Sequence, residues 1–235
     1  MKTQPTDATT DLSGLLRTAL LSTADSLAIE LTGEQAESLL AYLALLQRWN
    51  STYNLTSVRE PGQMLTQHIA DCLAVVNSLR RTTEGRAARL LDVGSGGGLP
   101  GAVIALTSPQ IGVTCIDAVG KKAAFVRQVA AELRVTNLQV HHGRVESLRG
   151  TVFDIVCSRA YASLSDFVNG TRHCLSNSGV WMAMKGRRPD EELARLAADI
   201  DVFHVEPLQV PGLDADRCLV WMRLSKAAFA AARSL

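Results

Sequence analysis

The stretch with the most chemistry in its spacing is Asp92-Val93-Gly94-Ser95-Gly96-Gly97-Gly98-Leu99-Pro100-Gly101. Five glycines fall within positions 94–101, more than the one or two that a plain strand-to-helix turn needs. Glycine admits positive φ and lets a ligand reach the backbone with no Cβ in the way. Two registers compete. Gly96, Gly98 and Gly101 fit G-x-G-x-x-G, the dinucleotide fingerprint of an NAD(P) enzyme. Asp92, Gly94, Gly96 and Gly98 fit D-x-G-x-G-x-G, the pattern of S-adenosyl-L-methionine methyltransferases. A pyrophosphate wants a helix N-terminus without a carboxylate beside it. A donor that carries a sulfonium and an ammonium is favoured by an acidic neighbour. Asp92 therefore tips the loop toward S-adenosyl-L-methionine, with Asp92 and Gly94 to Gly98 holding its methionyl part.

Other candidates line up along the same edge. Asp117 lies 23 residues after Gly94, where an acid ending the second strand accepts hydrogen bonds from ribose hydroxyls. A turn or N-cap aspartate is the plainer reading of that residue alone. His142-Gly143-Arg144-Val145-Glu146 ends the third strand candidate, and Val145 and Glu146 flank the adenine in this sheet order; a surface helix acid is the rival reading of Glu146. Arg144 and Arg159 end the third and fourth strands. Their guanidinium forks suit a guanine O6 or an RNA phosphate, or ion pairs with Asp154 or Asp166. Lys121, Lys122, Lys185, Arg187 and Arg188 fall at the same edge, as phosphate contacts or as an ordinary solvated face.

These residues need a scaffold, and the hydrophobic pattern supplies one. From about residue 88 onward, short β-type runs alternate with helical ones. Strands are expected at 89–93, 113–117, 138–142, 153–158, 180–185, 202–208 and 218–224, and helices at 100–106, 120–133, 164–174 and 190–198. That alternation predicts an α/β fold with a mostly parallel sheet covered on both faces. The last two strands have only Pro207, Pro211 and Gly212 to punctuate them, which predicts an antiparallel hairpin at one edge. Pro100 suits the first turn of the helix after the loop. The first 80 or so residues read as helices instead. Thr32 and Gln35 form a capping-box signal, followed by the stripe Ala36, Leu39, Leu40, Leu43 and Leu46. A third helix is expected at about 62–79. The divisions are a polar, frayed tail at 1–11, a helical extension at 12–84, the ligand-binding domain at 85–225 and an Ala-rich tail at 226–235.

Composition excludes several classes. The 235 residues are 47% hydrophobic and 20% charged, which is globular composition. No run is long and apolar enough to span a bilayer, and no secretory signal is visible, so a cytoplasmic enzyme is expected. Cys72, Cys115, Cys157, Cys174 and Cys218 form no CxxC pair and read as buried free thiols. His141–His142 points to opposite faces of a strand, and no metal site is expected. Net charge is +1, so a polyanion would have to meet a local patch.

The chain also carries a longer pattern. Gln47-Arg48-Trp49-Asn50, Tyr53-Asn54-Leu55-Thr56-Ser57-Val58-Arg59, His68-Ile69-Ala70-Asp71, the glycine loop with Leu99-Pro100-Gly101, and Ser158-Arg159-Ala160 occur in this order. Together they resemble the ribosomal RNA small subunit methyltransferase G family, also called glucose-inhibited division protein B. The likeness covers roughly residues 12–225. It implies a class I S-adenosyl-L-methionine-dependent methyltransferase, a Rossmann-like fold with a helical N-terminal extension. It implies methyl transfer to N7 of one guanine in bacterial 16S rRNA, free or in a small-subunit particle, by a monomer. Carried over by position, Gly94 and Leu99 match the loop contacts to the cofactor, Val145 and Glu146 the adenine-side contacts, and Arg159 a further cofactor-site arginine. Gly97 stands where the family often has Pro or Ala, and Tyr161 where it often has Phe. Guanine N7 already has an in-plane lone pair, so no dedicated base is expected. The work left to the protein is in-line alignment. The alternatives are methylation of another RNA or a small molecule, an NAD(P) dehydrogenase, and an RNA-binding module that keeps the cofactor as a structural ligand.

Overall fold

A computed structural model describes residues 7–159 and 161–225. Residues 1–6, Ala160 and the Ala-rich segment 226–235 lie outside the described residues. The chain opens with α1 (Asp7–Ser26), which starts within the stretch expected as a tail, and α2 (Gly33–Tyr53). The capping box is formed at α2: Gln35 N donates to Thr32 Oγ1 at 3.1 Å, and Thr32 N donates to Gln35 Oε1 at 3.0 Å. These bonds satisfy backbone donors that a helix start otherwise leaves unpaired. Ala36, Leu39, Leu43 and Leu46 are buried, as the stripe requires; Leu40 is half-buried at its margin.

The expected single helix at 62–79 is broken into α3 (Pro61–Met64), a π-helical segment Leu65–Ala70, α4 (Asp71–Leu73) and α5 (Val76–Thr83). Glu60 caps α3 by accepting from Gly62 N and Gln63 N. Hydrophobic periodicity does not report a π segment, because the wider turn shifts the face by only one residue.

Among the described residues seven strands follow: β1 (Ala88–Val93), β2 (Ile111–Asp117), β3 (Leu138–His142), β4 (Phe153–Ser158), β5 (Leu175–Lys185), β6 (Ile200–Leu208) and β7 (Arg217–Leu224). Their order is β3-β2-β1-β4-β5-β7-β6. The first five are parallel; β7 runs antiparallel to both β5 and β6. The edge hairpin is therefore present, with β7 inserted inside β6. Helices α6 (Gly101–Thr107), α7 (Gly120–Glu132), α8 (Leu164–Thr171) and the short α9 (Asp190–Ala194) complete the crossovers.

The two faces of the sheet carry separate apolar cores. One is closed by α8 and holds Phe167 and Trp181. The other is shared by α6, α7 and the helical extension, and runs from Leu39 and Leu46 through Leu90 to Trp221. The extension is thus half of one core, not an appendage. Polar bonds tie both of its ends. Trp221 Nε1 donates to Ser78 Oγ at 3.0 Å, and Arg81 pairs with Glu206 at 2.8 Å, which fastens α5 to the edge hairpin. At the other end Tyr42, fully buried, donates its hydroxyl to Gly97 O at 2.7 Å. Tyr42→Phe leaves that buried carbonyl unpaired, at a cost of about 1–2 kcal/mol. The expected outcome is a melting temperature lower by roughly 3–6 °C in thermal unfolding of a chain this size, with a weaker cofactor site.

Candidate active site

The glycine loop lies at the carboxyl end of β1 and is pinned from several sides. Gly94 N and Ser95 N both donate to Ile116 O, at 2.9 and 3.2 Å. Ser158 Oγ donates to Val93 O at 2.8 Å. Gly94, Gly96 and Gly98 have φ of +69°, +57° and +84°, so the D-x-G-x-G-x-G register is the one that uses left-handed backbone. A Cβ at Gly94 or Gly96 would point into open space; what glycine supplies there is conformation and room for a ligand. Gly101 is needed for another reason. A Cβ on it would lie 2.6 Å from Cys115 Sγ and 2.8 Å from Asp92 Oδ2.

That close approach explains Asp92. Its carboxylate is completely buried, and Oδ2 accepts the Gly101 N–H at 2.8 Å. Among the described residues Oδ1 has no hydrogen-bond partner. Burial pushes its pKa up to about 7, against the pull of the Gly101 N–H and the Arg159 charge. Asp92 thus occupies the N-terminus of α6, the place where a pyrophosphate would bind in the dinucleotide register. It lies beneath the loop and does not line a cavity, so a cation above the loop would feel its field rather than touch it.

Asp117 is also buried, and both of its oxygens are engaged. Oδ2 accepts from Gly96 N and Oδ1 from Val119 N, each at 2.8 Å. It therefore braces the loop as well as the start of α7. A carboxylate has about four acceptor sites, which leaves capacity for a ligand.

Three cavities follow one another along the carboxyl edge of the sheet. The first, about 170 Å³, lies over β1, β2 and β3 and is lined by Gly94, Asp117, Arg144, Val145, Glu146 and Tyr161 among others. The second, about 300 Å³, lies over the glycine loop and is walled by Leu99, Thr56, His68, Lys122 and Arg159. The third, also about 300 Å³, lies over β5 and β7 and shares Thr56, Ser57, His68 and Arg159 with the second. The first two meet at Gly94. This row is an elongated, largely pre-formed cleft of the kind small ligands use. Arg144 and Arg159, expected together, line different cavities. Arg144 is exposed beside Glu146.

Arg159 pairs with neither Asp154 nor Asp166. Its Nη1 meets Asp71 Oδ2 at 3.2 Å and donates to Gln67 O at 3.3 Å. Asp71, 3% exposed at its side chain, also accepts Arg217 Nε at 2.8 Å. Asp154 instead accepts from Arg89 N and Ser176 Oγ, and Asp166 from Ser163 Oγ. His68 is buried, with Nε2 at 2.9 Å from Thr56 Oγ1. Burial, then the Arg159 charge, push its pKa down and keep it neutral. Residue spacing could not reveal the Asp71 link, because its partners lie 88 and 146 positions away. The motif block His68–Asp71 was the available signal. Trp49 packs edge-on to Phe125 at 5.6 Å, between α2 and α7, as a packing residue. Lys121 donates to Tyr53 O, and Arg188 pairs with Asp190.

The residues fit S-adenosyl-L-methionine: a buried carboxylate with an unpartnered oxygen under a cradle without Cβ atoms, at the join of two cavities. Comparisons agree. The family model described as rRNA small subunit methyltransferase G matches residues 35–220. The chain is 60% identical over 199 residues to the ribosomal RNA small subunit methyltransferase G of Methylibium petroleiphilum, covering 85% of this chain and 90% of that one. It is 56% identical over 207 residues to the protein of the same name in Leptothrix cholodnii, covering 88% and 95%. Among solved structures, the 1,6-didemethyltoxoflavin-N1-methyltransferase of Burkholderia thailandensis, crystallised with S-adenosylhomocysteine, matches with a TM-score of 0.56 at 17% identity over 79% of this chain and 90% of that one. The fold is that of class I S-adenosyl-L-methionine-dependent methyltransferases.

Two outcomes follow from the loop. At Gly97 a Cβ meets Leu46, Phe125 and Tyr42 at 3.4–3.8 Å, ordinary contact, and φ is not left-handed. Gly97→Ala should raise stability by about 0.4–1 kcal/mol, read as a higher melting temperature, whereas Gly101→Ala should displace Asp92 and lower cofactor affinity at least about tenfold. The second outcome concerns pH. An acid raised to about 7 holds a proton in the folded chain that the unfolded chain loses near the ordinary carboxylate range, so its contribution to stability falls as pH rises across that window. A bound cation favours the ionised form. Calorimetry should therefore find S-adenosyl-L-methionine binding tighter with proton release as pH rises from roughly 6 to 7.5, and Asp92→Asn should flatten that trend.

Proposed function

Because this chain belongs to the ribosomal RNA small subunit methyltransferase G family, we propose that it methylates N7 of a guanine in 16S rRNA, by in-line attack and without a general base. It is an S-adenosyl-L-methionine-dependent rRNA methyltransferase; the atom, the base and the residue roles are the proposal. We take residues 12–84 as the helical extension and 85–225 as the cofactor-binding domain. The proposed substrate is 16S rRNA or a small-subunit ribosomal particle, and the proposed setting is a monomer in the cytoplasm. Among the described residues no helix is long and apolar enough to cross a membrane.

The observation that carries the no-base reading is Asp71. It is the only carboxylate lining the second and third cavities among the described residues, and both its oxygens are held by arginines. Each oxygen accepts from a guanidinium, so the carboxylate is committed to fixing Arg159 and Arg217. Guanine N7 presents a lone pair without losing a proton, so such a cleft suits it. The bound cofactor supplies a methyl group on a sulfonium. Gly94, Gly96, Gly98 and Leu99 shape the floor that receives it, over the field of Asp92. Asp117 offers its remaining acceptor capacity to ribose hydroxyls, and Val145 and Glu146 wall the adenine side. Arg159, fixed by Asp71, faces both the cofactor and the acceptor cavities; Arg144 stands at the far end, suited to a phosphate on the flank. The main contribution to rate is orientation of the nucleophile.

The experiment is methyl transfer from labelled cofactor to 16S rRNA of a strain lacking this enzyme, with mass mapping of the product. One 7-methylguanosine is expected with the wild type and none with Gly94→Arg, whose side chain fills the join of two cavities. A methyl group on another atom or molecule, or none, overturns the reading.

A further inference from the structure

We infer that the third cavity, over the carboxyl end of β5 and the start of β7, is an oxyanion site that takes the phosphate of the nucleotide being methylated. The inference rests on the rRNA reading and specifies where the acceptor is held. Three cations reach this cavity: Arg159 after β4, Lys185 at the end of β5 and Arg217 at the start of β7. Their side chains are 27%, 14% and 26% exposed, so they are partly withdrawn from water and held in place. Among the described residues the only carboxylate in the lining is Asp71, which is shared between the two arginines. Glu192, the partner of Lys185 at 2.8 Å, does not line this cavity; it also holds Leu164 N. His68 is neutral for the reason given above. Counting Glu192 behind Lys185, three positive charges face two negative ones, which leaves a net positive charge at a space of about 300 Å³. A small concave site of that sign attracts an anion more strongly than an exposed patch does. The bonds named for Arg217, Nε to Asp71 and Nη1 to Asp216 O, use two of its five donors.

One chemistry, an oxyanion, has two sources here: the carboxylate of the cofactor and a phosphate of the RNA. The second cavity has its own cations, Arg159 and Lys122, beside the glycine loop. Lys185 and Arg217 line the third cavity and not the second. They are the surplus that the cofactor does not need, and each RNA nucleotide brings a phosphate. The shared wall of Thr56, Ser57, His68 and Arg159 lets the base of that nucleotide face the cofactor cavity while its phosphate stays behind.

The test uses the full chain saturated with S-adenosylhomocysteine and titrated with guanosine 5′-monophosphate or guanosine. The monophosphate should bind at least about tenfold tighter, as expected for a charge-assisted contact. In Lys185→Gln and Arg217→Gln the gap should shrink to about threefold or less, Lys185→Arg should restore it, and the S-adenosylhomocysteine affinity of Lys185→Gln should stay within about twofold. The log–log salt slope for rRNA binding should fall by about one for each charge removed. Equal binding of nucleotide and nucleoside by the wild type overturns the proposal. So does a Lys185→Gln chain that loses affinity for S-adenosylhomocysteine but not for methylthioadenosine, which assigns the site to the cofactor's carboxylate. Absence of methyl transfer to rRNA by the wild type overturns the rRNA reading instead, in a separate reaction.

Discussion

The contact between the Asp92 carboxylate and the Gly101 amide organises this enzyme. It draws the start of α6 down onto the end of β1, so closely that residue 101 has no room for a side chain. The intervening residues then have to turn back on themselves, and three of them do so with positive φ. The same contact leaves a carboxylate stripped of water with one oxygen unpaired. Such a group is costly to charge in isolation, and a cation above the loop offsets that cost. The shape of the loop and its buried charge thus come from one bond. It also separates this loop from the nucleotide-binding loops it resembles, because the helix end that would receive phosphate is taken by the protein's own acid.

The helical extension completes the site from the other side. Tyr42 holds Gly97, while Asp71 holds Arg159 and Arg217. Both links are buried, where hydrogen bonds are least easily replaced by water. An arginine between two cavities is useful only if its position is fixed, and its fixing group comes from a helix far away in sequence. The π segment 65–70 immediately precedes Asp71 and offsets the register of that helix. Two halves of the chain therefore share one cleft: the sheet supplies the glycine-loop floor, and the extension supplies a wall and an anchoring charge.

Much of this was legible beforehand. All seven strands, the α6–α8 helices, the capping box and the edge hairpin follow from periodicity and punctuation, because the sheet is built from short, strongly apolar runs separated by clear turn residues. Observed ends differ from expectation mostly by a residue or two; β5 begins five residues earlier than 180, at Leu175, where polar Ser176, Asn177 and Ser178 hide a strand. Pro100 stands one position before the first helical residue of α6. The glycine register was legible from Asp92, since charge chemistry discriminates between the two ligands. Less legible was pairing between distant residues. Arg159 was visible as a cation, but its partner was not, and nothing in the spacing singled out Tyr42. Periodicity reports which face is buried; it does not report which polar atom on that face finds another.

The bond from Ser78 to Trp221 spans 143 residues and has a consequence for synthesis. The helices of the extension bury their apolar side against strands made after them, and among the described residues β7, which lies inside the sheet, emerges after the other six strands. Early helices must wait with that side uncovered, and contacts of such long sequence separation form slowly. The wall that these helices give the cleft is therefore complete only once residues 217–224 have joined the sheet.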